Sequence, residues 1–151
     1  RGAIIGFSEE HTRAHLYRAM IEGLTYALRE GKELLEKRSG KPITKLVVSG
    51  GGSQSDQIMQ ISADIFGMRV YRPHIFETSS LGAAIATAVG IGLYPDFPAA
   101  VTGMTHVGDF FEPIESNKKI YNDLFTKVYK KMYGQLKPSY ESIRSISGKQ
   151  E

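Results

Sequence analysis

The 151 residues carry 41% hydrophobic side chains and a formal net charge of +3, enough apolar material for one compact domain and nothing like a disordered or low-complexity chain. The absence of cysteine excludes disulfide staples and thiolate metal sites. The longest apolar run, Leu81 to about Tyr94, is too short and too glycine-rich to span a bilayer, which takes roughly 20 apolar residues. No basic-then-apolar leader opens the chain, so a cytoplasmic protein is expected. The charge is uneven: Ser116–Glu151 holds eight Lys or Arg against three acids. A solvated basic helix face explains this better than a nucleic-acid site, because Tyr121, Tyr129 and Tyr133 are spaced like a buried helix face and not like a base-stacking platform.

The chain opens on Arg1, and Arg1–Gly6 reads as the middle of a structured region, so a segment of a longer protein is expected. Ser8 reads as the cap of a first helix with Glu9 and Glu10 in its first turn. Leu16, Met20, Leu24, Ala27 and Leu28 recur at helical spacing and mark its apolar face. Gly31 is placed to weaken it, and Lys37 and Arg38 followed by Gly40 and Pro42 stop it.

Lys45–Ser49 reads as a buried parallel strand that empties into Gly50-Gly51-Gly52. A second helix follows, with Ile58, Ile61 and Ile65 inside and Gly67 as its stop. Val70–Arg72 is the next strand, ended by Pro73. Ser79 or Ser80 caps a third helix made slim by Gly82, Ala83, Ala84, Ala86 and Ala88. Residues 94–98 read as a loop, and Val101–Pro113 as irregular with short extended pieces. A last helix starts near Ser116, with Ile120, Leu124, Val128 and Met132 on one face. Pro138 is expected to interrupt it, and the end after Ile146 is expected to be loose. The alternation of helices and strands implies α/β layering around a parallel sheet.

Gly50-Gly51-Gly52-Ser53-Gln54-Ser55-Asp56 is the most informative stretch. Glycines let the backbone turn sharply and approach a ligand with no Cβ between, and the following helix offers unpaired amides. The loop sits outside the carboxyl end of a strand, where open α/β sheets bind ligands. It lacks the lysine of a phosphate loop and the third spaced glycine of a dinucleotide fingerprint, where Ser55 stands. Arg72, ending the next strand, suits a phosphorylated ribose, so an NADP-binding oxidoreductase domain stays open. So does a non-catalytic interaction module presenting the helix Ser80–Ile91.

His11 and His15 lack the intervening glutamate and third ligand of a zinc protease, and read as helix surface. Asp56 divides evenly between a helix-dipole role and a ligand role, Asp64 reads as structural, and the role of Glu77 stays open. No serine has a histidine–acid partner in the sequence, and no catalytic or metal-binding residue is assigned.

Ser49–Ser55, then Gln60-Ile61-Ser62-Ala63-Asp64-Ile65-Phe66-Gly67, then Glu77-Thr78-Ser79-Ser80-Leu81-Gly82-Ala83-Ala84, together resemble the C-terminal half of the FGGY carbohydrate kinases, which include glycerol kinase, xylulokinase, ribulokinase and gluconate kinase. Arg1-Gly2, the helix His11–Ala19 with Glu22-Gly23, and Phe111-Glu112-Pro113 leading to Tyr121 are similar too. The resemblance implies an actin-like ATPase (ribonuclease H-like) C-terminal subdomain, a partial parallel or mixed sheet with flanking helices. It would form one partial domain over residues 1–151, with a core over about 1–94 and an irregular segment and C-terminal helix over about 95–151.

By position, the resemblance implies that Gly50, Gly51, Gly52 and Ser53 line the nucleotide of ATP, and that Ser55 faces the adenine edge where glycerol kinases carry asparagine. Ser55 offers a shorter hydroxyl without the amide's donor-and-acceptor pair. The slim helix resembles the second connecting helix at the family's interdomain hinge. The implied partners are ATP or ADP with Mg, an N-terminal kinase domain of the same parent chain, and a sugar or polyol. The acceptor, most of the Mg site and the catalytic base lie upstream, so this segment alone is not expected to be active. Neither a nucleic-acid nor a membrane partner is expected; a homodimer is.

Overall fold

The computed structural model describes residues 3–147. Arg1 and Gly2, part of the family-like opening, and the chain after Ser147 lie outside the described residues.

Helix α1 spans Arg13–Ser39 and starts later than the acids at Glu9 and Glu10 suggest. Ser8 heads a separate turn, donating its N–H to His11 Nδ1 at 2.9 Å while its carbonyl receives the His11 N–H at 3.1 Å. Thr12 is the N-cap, and its N–H donates to His15 Nδ1 at 3.1 Å, so histidine fills the place that glutamate takes in a capping box. Gly31 does not break the helix. Gly40 ends it in the left-handed conformation, with Lys37 and Arg38 in the last turn.

The buried side of α1 is Thr25 and Tyr26, while Met20, Leu24 and Leu28 are exposed, Leu24 by 70%. The apolar spacing found the stripe but not its partner. Among the described residues, α1 meets α2 and the C-terminal helix through Tyr26 and the flanking polar Glu22 and Arg29.

Strand β1 (Leu46–Val47) is shorter than the run Lys45–Ser49, although Val48 N still donates to Tyr71 O at 2.9 Å. It pairs in parallel with β2 (Val70–Pro73), Leu46 opposite Val70. The crossover between them is α2 (Asp56–Phe66), as parallel neighbours require. Helix α2 buries Met59, Ser62, Ala63, Asp64 and Ile65, leaving Ile58 and Ile61 half-buried, and Gly67 closes it at φ +64°.

A third strand, β3 (Val107–Phe111), lies antiparallel on the far side of β2, so the sheet is mixed, in the order β1-β2-β3. The register slips between Tyr71 and Pro73, where proline cannot donate to the ladder. Met59, Ala63 and Val70 form one core cluster with Leu46, Val48 and Phe111 against it.

Between β2 and β3 lie α3 (Thr78–Gly90) and α4 (Phe97–Met104), the latter in a stretch read as loop and irregular chain. Asp96 caps α4 by accepting from Ala99 N at 2.8 Å, and Pro98 fits its first turn, where no amide is needed. Helix α3 begins at Thr78, before the serines expected to cap it; Glu77 holds the N-cap position without a side-chain cap bond. It buries Ile85 and Ala88, leaving Gly82, Ala83, Ala84 and Ala86 exposed.

The C-terminal helix comprises α5 (Glu115–Asp123), a π-helical segment (Leu124–Tyr129) and α6 (Lys130–Ser147), which runs through Pro138. Its buried face is aromatic and one position along from the aliphatic stripe: Tyr121, Phe125 and the half-buried Tyr129 surround Tyr26, with ring centroids 6.3, 5.8 and 5.2 Å away. In an α-helix each four-residue step rotates by about 40°, and the wider π turn removes much of that drift. Full burial of Phe125, Ile65 and Met59 contributes on the order of 1.5–3 kcal/mol each.

Candidate functional site

The glycine loop leaves the end of β1 through Gly50 at φ +89° and ψ −178°, a region open essentially to glycine alone. Gly50 N donates to Phe76 O at 3.0 Å, tying the loop to the chain entering α3. Gly51–Gln54 then forms a single 3-10 turn. Ser53 is fully buried: its N–H and Oγ both donate to Gly50 O, at 3.1 and 2.7 Å. The Ser53 side chain therefore shapes the loop from within and does not face its open side.

Gly51 and Gly52 lie on that open side. A Cβ added at either would meet no heavy atom within 4 Å. Glycine at Gly50 answers the backbone's own need, whereas nothing inside the chain requires it at Gly51 or Gly52, both of which have negative or extended φ.

Ser55 is the N-cap of α2. Its Oγ accepts from Ile58 N at 3.4 Å and donates to Gln57 Oε1 at 3.0 Å, so the hydroxyl is engaged by its own helix. Asp56 opens the first turn of α2 and pairs with Arg72 Nη1 at 2.8 Å. On the other flank, Ser49 Oγ lies 3.4 Å from Thr78 Oγ1 at the start of α3. Glu77 is exposed beside it.

Arg72 is engaged within the fold. Besides Asp56, its guanidinium donates to Ser53 O at 3.1 Å and to Asp109 Oδ2 on β3, and lies 5.3 Å from the centre of the Phe111 ring. The flanking carboxylates, Asp109 first, raise the pKa of its guanidinium above the ordinary value. An arginine clasped by two acids is a poor seat for a ribose phosphate, which removes the feature that favoured an NADP site. The same contacts are a loop-holding role that sequence reasoning missed; two acids 16 and 37 residues from Arg72 leave no local signal.

Asp64 is structural. Its buried carboxylate accepts from Gln60 Nε2 at 3.0 Å, Ile114 N at 2.7 Å and Asn117 Nδ2 at 2.8 Å, fastening α2 to the start of α5. His11 and His15 point Nδ1 at Ser8 and Thr12, and no group of three His, Asp or Glu side chains among the described residues is arranged for a metal. Away from the glycine loop, a cavity of about 300 Å³ lies between Ile4–Phe7 and the first turns of α1.

The sequence matches the FGGY family of carbohydrate kinases, C-terminal domain, over residues 1–91. The chain belongs to the FGGY carbohydrate kinases. Over 152 aligned residues this FGGY chain is 40% identical to the uncharacterized sugar kinase YgcE of Escherichia coli (strain K12), covering 98% of the chain and 31% of that protein. It is 34% identical over 134 residues to the xylulose kinase of Lactococcus lactis, covering 88% of the chain and 26% of that protein.

Ligand-bound xylulose kinase from Lactobacillus acidophilus superposes with a TM-score of 0.78 at 24% identity, over 95% of this chain and 29% of that one. The fold is thus the C-terminal part of the actin-like fold of these kinases. The chain spans about a third or less of the length of these FGGY relatives. Membership removes the oxidoreductase reading, and no helix among the described residues is long and apolar enough to cross a membrane.

Proposed function

We propose that this chain is the C-terminal, adenosine-binding part of a longer ATP-dependent carbohydrate kinase, which transfers the γ-phosphoryl group of ATP to a hydroxyl of a sugar, polyol or sugar acid. The observation that carries this reading is the open arch Gly51-Gly52, held at both ends by fixed backbone and free of any neighbour a Cβ would strike. A flat, side-chain-free surface beside the capped start of α2 suits the face of a purine and its ribose.

Gly50 provides the turn, Gly51 and Gly52 the contact surface, and Ser53 the internal brace. The hydroxyl of Ser55, engaged by Ile58 N and Gln57, leaves the base edge weakly read. Magnesium accompanies the phosphates and is held mainly by the rest of the parent protein. The acceptor and the catalytic base belong to the N-terminal domain of the same parent chain, so residues 1–151 form one partial domain, inactive alone and cytoplasmic.

The exposed small residues of α3 form a face on which that domain moves as the cleft closes over the nucleotide. In isolation the same face drives homodimer formation. Light scattering across concentration checks this; a monomer at every concentration contradicts it.

An amide NMR titration of the chain with ADP, ATP and NADPH tests the nucleotide reading. Shifts centred on residues 50–55 with the adenosine phosphates support it. Shifts there with NADPH alone, or adenine-nucleotide shifts confined to residues far from the loop, overturn it.

A further inference from the structure

The arch Gly51-Gly52 has no side chain to fix it, and consecutive glycines have more backbone freedom to lose than any other pair. Its shape depends on the two ends. Gly50 is fixed by its N–H on Phe76 O. At the other end, Ser53 has its N–H and Oγ on Gly50 O, and its own carbonyl accepts from Arg72 Nη1 at 3.1 Å. All of the polar atoms of Ser53 are therefore engaged, and the last of them by a side chain from β2.

Arg72 is in turn fixed. Its side chain is only 19% exposed, with Asp56 on one side, Asp109 on the other and Phe111 nearby. The contacts use the planar fork: Nη1 spans Ser53 O and Asp56, and Nη2 reaches Asp109. An ammonium group cannot reproduce that spread.

We propose that Arg72 is a positioning residue for the nucleotide, holding the Ser53 carbonyl so that the Gly51-Gly52 arch is already in the shape that receives adenosine. The proposal rests on the nucleotide reading above. Without the clamp, the arch has to be ordered when the nucleotide arrives, and the ordering cost is subtracted from affinity. The acids left behind in an Arg72 variant are both mostly exposed, 70% for Asp56 and 69% for Asp109. Water takes over their solvation, and pairs this exposed add little to stability.

The test uses the full-length kinase and four proteins: the natural sequence, Arg72→Met, Arg72→Lys and Gly52→Val. ADP affinity is measured by calorimetry, together with melting temperature and amide hydrogen exchange of the peptide spanning residues 46–69. Arg72→Met is expected to weaken ADP about tenfold, the equivalent of one hydrogen bond to a charged group, and to speed exchange in that peptide while melting hardly changes. Arg72→Lys restores part of the affinity.

Unchanged ADP affinity in Arg72→Met, while Gly52→Val abolishes binding, overturns the clamp and leaves the nucleotide site standing. Loss of affinity in step with a large fall in melting temperature, with no rescue by lysine, reduces Arg72 to a structural ion pair. Unchanged ADP affinity in Gly52→Val overturns the nucleotide site itself and the clamp with it.

Discussion

Replacing Asp64 separates the two jobs a buried acid can have, bearing charge for a site or accepting hydrogen bonds for the fold. Asp64 is 2% exposed, and among the described residues no cation pairs with it; three N–H donors do, from Gln60, Ile114 and Asn117. Asp64→Ala removes the acceptor for all three and strands the Ile114 amide at the head of the C-terminal helix. Hydrogen bonds to an ionised group contribute about 1.5–3 kcal/mol each, and some of these donors recover water, so the expected loss is about 3 kcal/mol. For a chain of this length that is roughly 6–12 °C in melting temperature.

Asp64→Asn keeps one oxygen for Gln60 and Ile114 and turns an amide toward Asn117, whose own amide can rotate to accept. Its expected loss is about 1 kcal/mol or less. Urea denaturation of both variants, with hydrogen exchange at Ile114, is the assay. If the asparagine variant is as damaged as the alanine variant, the negative charge itself matters and the hydrogen-bond explanation is wrong. If the alanine variant is indistinguishable from the natural sequence, the tie between α2 and α5 is not holding the fold together.

Gly50→Ala forces a side chain into a glycine-only backbone region and should cost about 1–3 kcal/mol by chemical denaturation, whereas Gly51→Ala should cost under about 0.5 kcal/mol, because its Cβ meets nothing. Burial pushes the phenols of Tyr26, Tyr121 and Tyr129 above their ordinary value. The unfolded chain therefore loses protons near pH 10 while the folded chain keeps them; the contribution of these three phenols to stability should be flat below pH 9 and fall above about pH 10. Absorbance at about 295 nm should show Tyr26, Tyr121 and Tyr129 ionising at higher pH in the folded chain than in the unfolded one. Arg29→Met removes bonds to Ile65 O and Asn122 Oδ1 and the stacking on Phe125, and calorimetry should show a loss of about 2 kcal/mol.

What could be read in the sequence follows from the range over which each signal acts. The glycine loop, the strands on either side of α2 and the left-handed stops at Gly40 and Gly67 are local matters of backbone conformation, and they stand where the residues place them. The N-terminus of α1 was misplaced because the acids at Glu9 and Glu10 signal a helix start that the Ser8–His11 turn overrides. Helix α4 lay hidden in residues 97–104, and β3 is one of the short extended pieces expected within Val101–Pro113, its bounds illegible because the strand is mostly exposed.

Spacing identified aliphatic stripes on α1 and the C-terminal helix, but contact chose other faces; of the three tyrosines spaced like a buried helix face, Tyr121 and Tyr129 pack inward while Tyr133 is exposed. Tyr26, Tyr121, Phe125 and Tyr129 carry more buried area than the leucines, and the π turn that aligns them has no composition signal. At the candidate site, the sharp turn at Gly50 and the loop through Gly51 and Gly52 were legible because backbone conformation is local. The inward turn of Ser53 and the capping role of Ser55 are also local, made within three residues, but a serine hydroxyl can face a ligand or its own backbone and its residue type does not say which. The clasp of Arg72 depends on atoms brought from elsewhere in the fold.

The central claim is that the glycine loop contacts the adenosine of a bound nucleotide. Photolabelling the full-length kinase with 8-azido-ADP addresses it directly, because trypsin releases residues 46–69, from the cut after Lys45 to the cut after Arg69, as one peptide. Label on that peptide, displaced by unlabelled ADP and ATP but not by NADPH, is the expected result. Label displaced by ADP yet confined to other peptides would contradict the claim.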